Sequence, residues 1–150
     1  MPESNNLEQR IQRLEDIEEI KKLTAIYSDY INKGWLGKEM AFDKLPRVFT
    51  ADATWESAAM GVKVQGVDDI VSMLREKTAG PNFAMHNFTN PIIDVDGDAA
   101  TANWLLWVAV AIDGTPNEIH YSEDVRYTRT PEGWRIQAIN LHFAQMLLKP

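Results

Sequence analysis

The sequence predicts an α+β fold in which helices near the N-terminus pack on an antiparallel sheet. Three observations carry this expectation. Apolar residues recur at steps of three and four from Leu7 to Tyr30. Four strand-like runs fill the chain beyond Asn82, and the joints between them have hairpin chemistry. Helical patterns precede the strands instead of alternating with them, which argues against a parallel βαβ sheet.

The first element is a long helix. Leu7, Ile11, Leu14, Ile17, Ile20, Leu23, Ile26, Tyr27 and Tyr30 define one face, and Gly34 ends it. Glu8, Glu15, Glu18, Glu19, Lys21 and Lys22 lie largely off that stripe and read as a solvated face. A shorter helix is expected within 37–49, built on Met40, Leu45, Val48 and Phe49, although Pro46 sits poorly inside it. TWES and VKVQG read as short strands. VDDIVSMLREK, opened by Gly66 and ended by Gly80 and Pro81, reads as a further helix. Strands are then expected at 83–95, 99–112, 117–129 and 134–147, joined at DVDGDA, DGTPN and TPEG as an antiparallel meander.

One strand is unusual. In TANWLLWVAVAI, residues 101–112, both parities are apolar, whereas an antiparallel strand with one wet face alternates. Helices can cover one face only. A second copy of the chain is the economical cover for the other, so a homo-oligomer, dimer or trimer, is expected. The chain's own end, AQMLLKP, is the alternative cover.

At 150 residues the chain has the length of one domain spanning 1–150, and 45% apolar with 25% charged residues is ordinary for a globular protein. It contains no cysteine, which excludes disulfides, thiolate nucleophiles and cysteine-ligated zinc or iron–sulfur centres. A formal charge of −7 without a local Lys/Arg cluster opposes binding to nucleic acid. The first 22 residues hold no apolar core of signal-peptide length, and no apolar run elsewhere approaches the roughly 20 residues of a membrane span, so a cytoplasmic location is expected.

The stretch MHNFTNP, residues 85–91, places a histidine inside a strand. His86 shares parity with Phe88, Asn90 and Ile92. If that face lines a cavity, desolvation keeps His86 a neutral base; otherwise it is a packed or surface histidine. His120 shares parity with Ser122 and Asp124, and His142 with Trp134, Ile136, Ala138 and Asn140. The three histidines lack the spacing of zinc motifs, and no metal is expected. Tyr27 belongs to the apolar stripe with its hydroxyl available to a ligand or a core partner. Asn32 is either a C-terminal turn residue ahead of Gly34 or a pocket residue.

IEEIKKLTAIYSDYIN, LPRVFTADATW, HNFTNPIIDVDGDAATANW and the terminal GWRI strand together resemble the SnoaL-like branch of the NTF2-like superfamily of cone-shaped α+β barrels. The branch resembled includes scytalone dehydratase, bile acid 7α-dehydratase and hexachlorocyclohexane dehydrochlorinase, which eliminate without a cofactor. The resemblance implies that His86 is the general base, and that Asn32 stands where relatives carry a carboxylate orienting that base. It implies that Tyr27 is a pocket tyrosine assisting a leaving group, and that His120 and Ser122 line the pocket. Phe88, Leu106, Val108 and Asn140 are expected to contact the substrate with them. The function so implied is a cofactor-independent lyase of the dehydratase type acting on a hydrophobic cyclic or aromatic small molecule. The alternatives are a non-catalytic ligand-binding or assembly subunit, or an isomerase, aldol-type cyclase or C–C lyase using the same pocket.

Overall fold

The computed structural model describes residues 6–148. A helix α1 (Leu7–Tyr30) is followed by a 3₁₀ turn (Phe42–Arg47), strands β1 (Phe49–Ser57) and β2 (Val62–Gln65), helix α2 (Val67–Lys77), and strands β3 (Phe83–Asp96), β4 (Ala99–Ile112), β5 (Thr115–Thr130) and β6 (Gly133–Leu148). The six strands form one sheet in the order β2-β1-β6-β5-β4-β3. β3 to β6 make the antiparallel meander, and β1 joins it parallel to β6. Turn chemistry sets the registers. At Asp113 and Gly114 both φ angles are positive, 50° and 76°, as a tight two-residue hairpin requires.

α1 starts with a capping box, Asn6 Oδ1 accepting from the Gln9 amide while the Gln9 side chain accepts from the Asn6 amide. Its buried face is narrower than the apolar stripe implies. Asp16, Ile20, Leu23, Thr24, Tyr27 and Ser28 are buried, but Leu7, Ile11 and Leu14 stand 67%, 47% and 64% exposed because no described strand runs beneath those turns. Asp16 is the first anchor. Arg129 donates two hydrogen bonds of 2.8 Å to its carboxylate, and Trp134 Nε1 donates a third of 3.1 Å. Burial pushes the Asp16 carboxyl up, but the bonds from Arg129, Trp134 and Gln12 outweigh it and hold it below the usual range. Further along, a chain of donors runs from Trp104 Nε1 to the Tyr127 hydroxyl, to Thr24 Oγ1 and on to the Ile20 carbonyl.

The element expected within 37–49 is a 3₁₀ turn with Pro46 inside it, since proline cannot continue an α-helical ladder. β1 begins five residues earlier than TWES, at Phe49. α1 ends at Tyr30, ahead of Gly34. Gly34 instead permits a close approach. A Cβ there would lie 2.6 Å from the Asn82 carbonyl oxygen, so only glycine lets the two backbones meet. Beside it Lys33 and Ala84 exchange two backbone hydrogen bonds of 3.0 Å, tying the end of α1 to the start of β3.

Bulges decide which side chains point where. β3 gains an extra residue between Thr89 and Ile92, with Asn90 at φ 49°. β6 gains residues against β5 at His120/Tyr121 and Arg126/Tyr127. The sheet face under α1 carries Ala102, Trp104, Leu106, Val108 and Val110 of β4, all buried. The opposite face carries Leu105 and Trp107, 46% and 37% exposed. The chain's own end does not cover that outer face, because residues up to 148 extend β6 along β5; Lys149 and Pro150 lie outside the described residues.

Candidate functional site

α1, α2 and the inner sheet face enclose a cavity of about 150 Å³, walled by Met73, Leu74, Phe88, Leu106, Val108 and Leu141. Within this apolar lining Tyr27, Trp55, His86 and Glu123 are the groups with hydrogen-bonding or acid–base chemistry that matter most.

His86 is held from three sides. Its backbone amide donates to Asn32 Oδ1 at 2.8 Å, its carbonyl accepts from Ser28 Oγ at 2.7 Å, and its Nδ1 lies 3.1 Å from the same Asn32 oxygen. An amide oxygen only accepts, so the ring carries its proton on Nδ1 and presents Nε2 as a lone pair. Burial lowers the His86 pKa to about 4, leaving the ring neutral at neutral pH. Asn32 is itself buried. The turn that follows α1 places it there: residues 32 and 33 run beside 84–86, fixed by the Lys33–Ala84 pair.

Tyr27 is 2% exposed, edge-on to Phe49 at 5.4 Å and tilted against Phe88 at 6.1 Å. Burial, reinforced by Glu123, pushes its hydroxyl well above the usual range, so it acts only as a neutral phenol. Trp55 Nε1 lies near that hydroxyl without a complete hydrogen bond and is buried with no partner among the described residues. Phe88, Leu106 and Val108 line the same cavity, so the structure brings five of the expected site residues together with Asn32 behind them.

Three expected pocket residues are elsewhere. His120 pairs opposite Trp107 on the outer face, its Nε2 3.1 Å from Glu118. Ser122, opposite Leu105, accepts from Asn103 at 3.0 Å on that same face. Asn140 lies across from Asp124 and lines an outer groove with Asn103 and Arg126. The reason is pleat phase. On β5 the inward residues are Ile119, Tyr121, Glu123, Val125 and Tyr127, and the bulge against Arg126/Tyr127 turns β6 over so that Trp134, Ile136, Ile139 and Leu141 face in. Ile92, expected to share the cavity face with His86, is 68% exposed because the β3 bulge sends Ile93 and Val95 inward instead.

Glu123 is the residue sequence reasoning missed. It is 2% exposed, its Oε1 has no hydrogen-bond partner among the described residues, and it lines the cavity. Burial, with the neighbouring Asp124 charge second, raises its pKa to about 8. The signal was present: Glu123 interrupts an otherwise apolar alternation, Ile119, Tyr121, Val125, Tyr127. Among the described residues no group of three His, Asp or Glu stands together to hold a metal. No described helix is long and apolar enough to cross a membrane.

The SnoaL-like domain profile matches residues 12–140. An uncharacterised protein of Mycobacterium tuberculosis (strain ATCC 25618 / H37Rv) is 29% identical over 136 residues, with 84% of each chain covered. Among solved structures, a Kribbella flavida protein superposes with a TM-score of 0.78 at 22% identity, covering 90% of this chain and 95% of its own. A type 2 hexachlorocyclohexane dehydrochlorinase reaches 0.81 at 13% identity, covering 94% and 93%. An NTF2-like protein from Novosphingobium aromaticivorans reaches 0.76 at 23%, covering 97% and 92%. The helix-then-sheet order, the curved six-stranded sheet and a profile match across most of its length place this chain in the SnoaL-like domain family, with an NTF2-like fold.

Proposed function

We propose that the chain is a cofactor-independent lyase of the dehydratase type, with His86 as the general base. The observation that carries this reading is the posture of His86: Nδ1 tied to Asn32, Nε2 unengaged among the described residues, and the ring against an apolar cavity. Nε2 then takes a proton from a carbon next to an activating group, and Tyr27 assists the departing hydroxyl on the neighbouring carbon. Asn32 fixes the tautomer and the ring plane. It supplies no negative charge to stabilise an imidazolium, so the base rests on placement more than on electrostatic help. The likeness to a dehydrochlorinase and to a scytalone dehydratase candidate from Novosphingobium aromaticivorans supports an eliminating chemistry. The substrate in this reading is a small hydrophobic molecule of about one ring, since roughly 150 Å³ is room enough for benzene.

His86→Gln tests the reading. On a panel of single-ring β-hydroxy ketones, turnover should fall about 10²–10⁴-fold with binding largely kept, as for loss of a general base. Full turnover in that variant would remove His86 from the chemistry. Asn32→Asp should preserve or raise turnover if residue 32 serves only to orient His86, and weaken binding if it touches the ligand.

A second reading, a non-catalytic ligand-binding subunit, is favoured by one observation, the amide at position 32 in place of a carboxylate. The open outer face, with Leu105 and Trp107 exposed, supports self-association as a homo-oligomer through that surface.

A further inference from the structure

We propose that Glu123 stands in the cavity as an uncharged carboxylic acid and donates its proton to an oxygen of the bound ligand, making that oxygen the recognition element of the substrate. This assignment rests on the eliminating function proposed above for its catalytic consequence, but not for the binding step.

The geometry leads there by elimination of partners. A carboxyl group buried to 2% exposure normally meets an arginine, a lysine, a metal or several amides. Among the described residues Glu123 meets none of these at Oε1. Groups with a titratable or charged side chain around the cavity are Tyr27 from α1, Lys77 from α2, His86 from β3 and Tyr121 on β5, with Tyr127 close behind. β1, β4 and β6 contribute Trp55, Leu106, Val108 and Leu141. The one cation among them, Lys77, belongs to an exposed residue. In such surroundings the ionised form is strongly disfavoured, and the raised pKa of about 8 is the same statement in titration terms. A second orphan lies in the same lining: Trp55 Nε1, which can only donate. Two buried polar groups left without partners in one apolar cavity are filled by a ligand that brings acceptors.

The ligand this lining recognises is a neutral, single-ring molecule with a carbonyl or hydroxyl oxygen. In the elimination, His86 Nε2 takes the C–H proton, those electrons form the C=C bond, and the C–O bond breaks. The departing hydroxyl, hydrogen-bonded by the Tyr27 phenol, takes the proton of Glu123 and leaves as water. Imidazolium and carboxylate remain, and the proton returns from His86 to Glu123 through solvent when the product leaves. No other reactant is needed.

The test uses two probes of the same shape, acetophenone and α-methylstyrene, which differ by an oxygen in place of a methylene. Ligand-observed NMR titration of the full chain, at pH values well below and well above about 8, reads the preference. Below it the wild type should favour acetophenone about tenfold, the worth of one hydrogen bond. Above it the preference should fall severalfold, to what the neutral donors Trp55 and Tyr27 supply, because a carboxylate cannot donate. Glu123→Gln, whose amide still donates, should keep the full preference at both pH values, and Glu123→Met, apolar and similar in length, should show the reduced preference at both. Failure of the wild type to prefer acetophenone, a preference independent of pH, or a folded Glu123→Met protein with the wild-type preference would each overturn the assignment. Because no turnover is read, this outcome is separate from that of His86→Gln.

Discussion

Glu123 and Asp124 are neighbours on one strand, yet the sheet gives them opposite chemistry. Glu123 points inward, loses water and gains no partner for Oε1 among the described residues, and its pKa climbs to about 8. Asp124 points outward, accepts from Asn103 at 2.8 Å, lies 3.0 Å from His142 Nε2, and is held below the usual carboxylate range, the Asn103 bond contributing most. The histidines repeat the contrast. His86 on the inner face is pressed to about 4, while His120 and His142 on the outer face pair with carboxylates in contact with water. Composition alone cannot distinguish the members of such pairs. The pleat does.

The outer face offers the largest lever. If it is the surface through which copies associate, Trp107→Lys should convert the assembly to monomer in sedimentation velocity while each subunit stays folded; a wild type already monomeric at micromolar concentration would refute the association. Next come two adjacent leucines. Leu106→Ala on the inner face should cost about 2–5 kcal/mol in urea unfolding, and Leu105→Ala, 46% exposed, under about 1 kcal/mol. Equal losses would mean that the outer face is buried as deeply as the core.

The pH dependence of stability is a smaller effect with a definite sign. The folded His86 titrates near 4 against an ordinary 6.5, so the unfolded chain binds more protons in that window and stability falls as the pH drops below 6.5. Glu123 titrates near 8 against 4.5, so here the folded chain binds more protons and stability falls as the pH rises through that window. The two slopes oppose each other up to 6.5; above it Glu123 acts alone, at up to about 1.4 kcal/mol per pH unit. Urea unfolding at pH 6.5 and 8 should show this loss in the wild type, its absence in Glu123→Gln, and its persistence in Asp124→Asn. The smallest effect belongs to His142→Gln. Removing its half-exposed pair with Asp124 should change stability by under about 1 kcal/mol.

Most of the fold was legible because it is written in local signals. The period of α1, the Gly66 entry to α2 and the Asp-Gly turn each act over a few residues, and the elements appear where those signals stand. The site was legible only in part. His86, Tyr27, Phe88, Leu106 and Val108 share a cavity because β3 up to Thr89 and all of β4 keep a regular pleat. His120, Ser122 and Asn140 were assigned to the wrong face for two physical reasons. On β5 the polar parity was taken as pocket-lining although the apolar parity is the one that must be buried, and on β6 a bulge against Arg126/Tyr127 reverses the alternation between Ile136 and Ile139. A bulge leaves no composition signature; Asn90, at ease with positive φ, marks the one in β3 only in retrospect.

The buried Asp16 has a mechanical consequence as well. It is the first residue of α1 fastened to the sheet, through Arg129 and Trp134. Residues Leu7–Glu15 before it are exposed, so α1 behaves as a beam clamped at Asp16 with a free arm of roughly 13 Å, at 1.5 Å per residue. The clamped part carries Tyr27 and Ser28 and reaches Asn32, where sub-ångström errors would misaim His86. The free arm can bend, fray or dock against another surface without transmitting that motion to the ring. The clamp thus isolates the cavity wall from whatever happens to the first turns of α1.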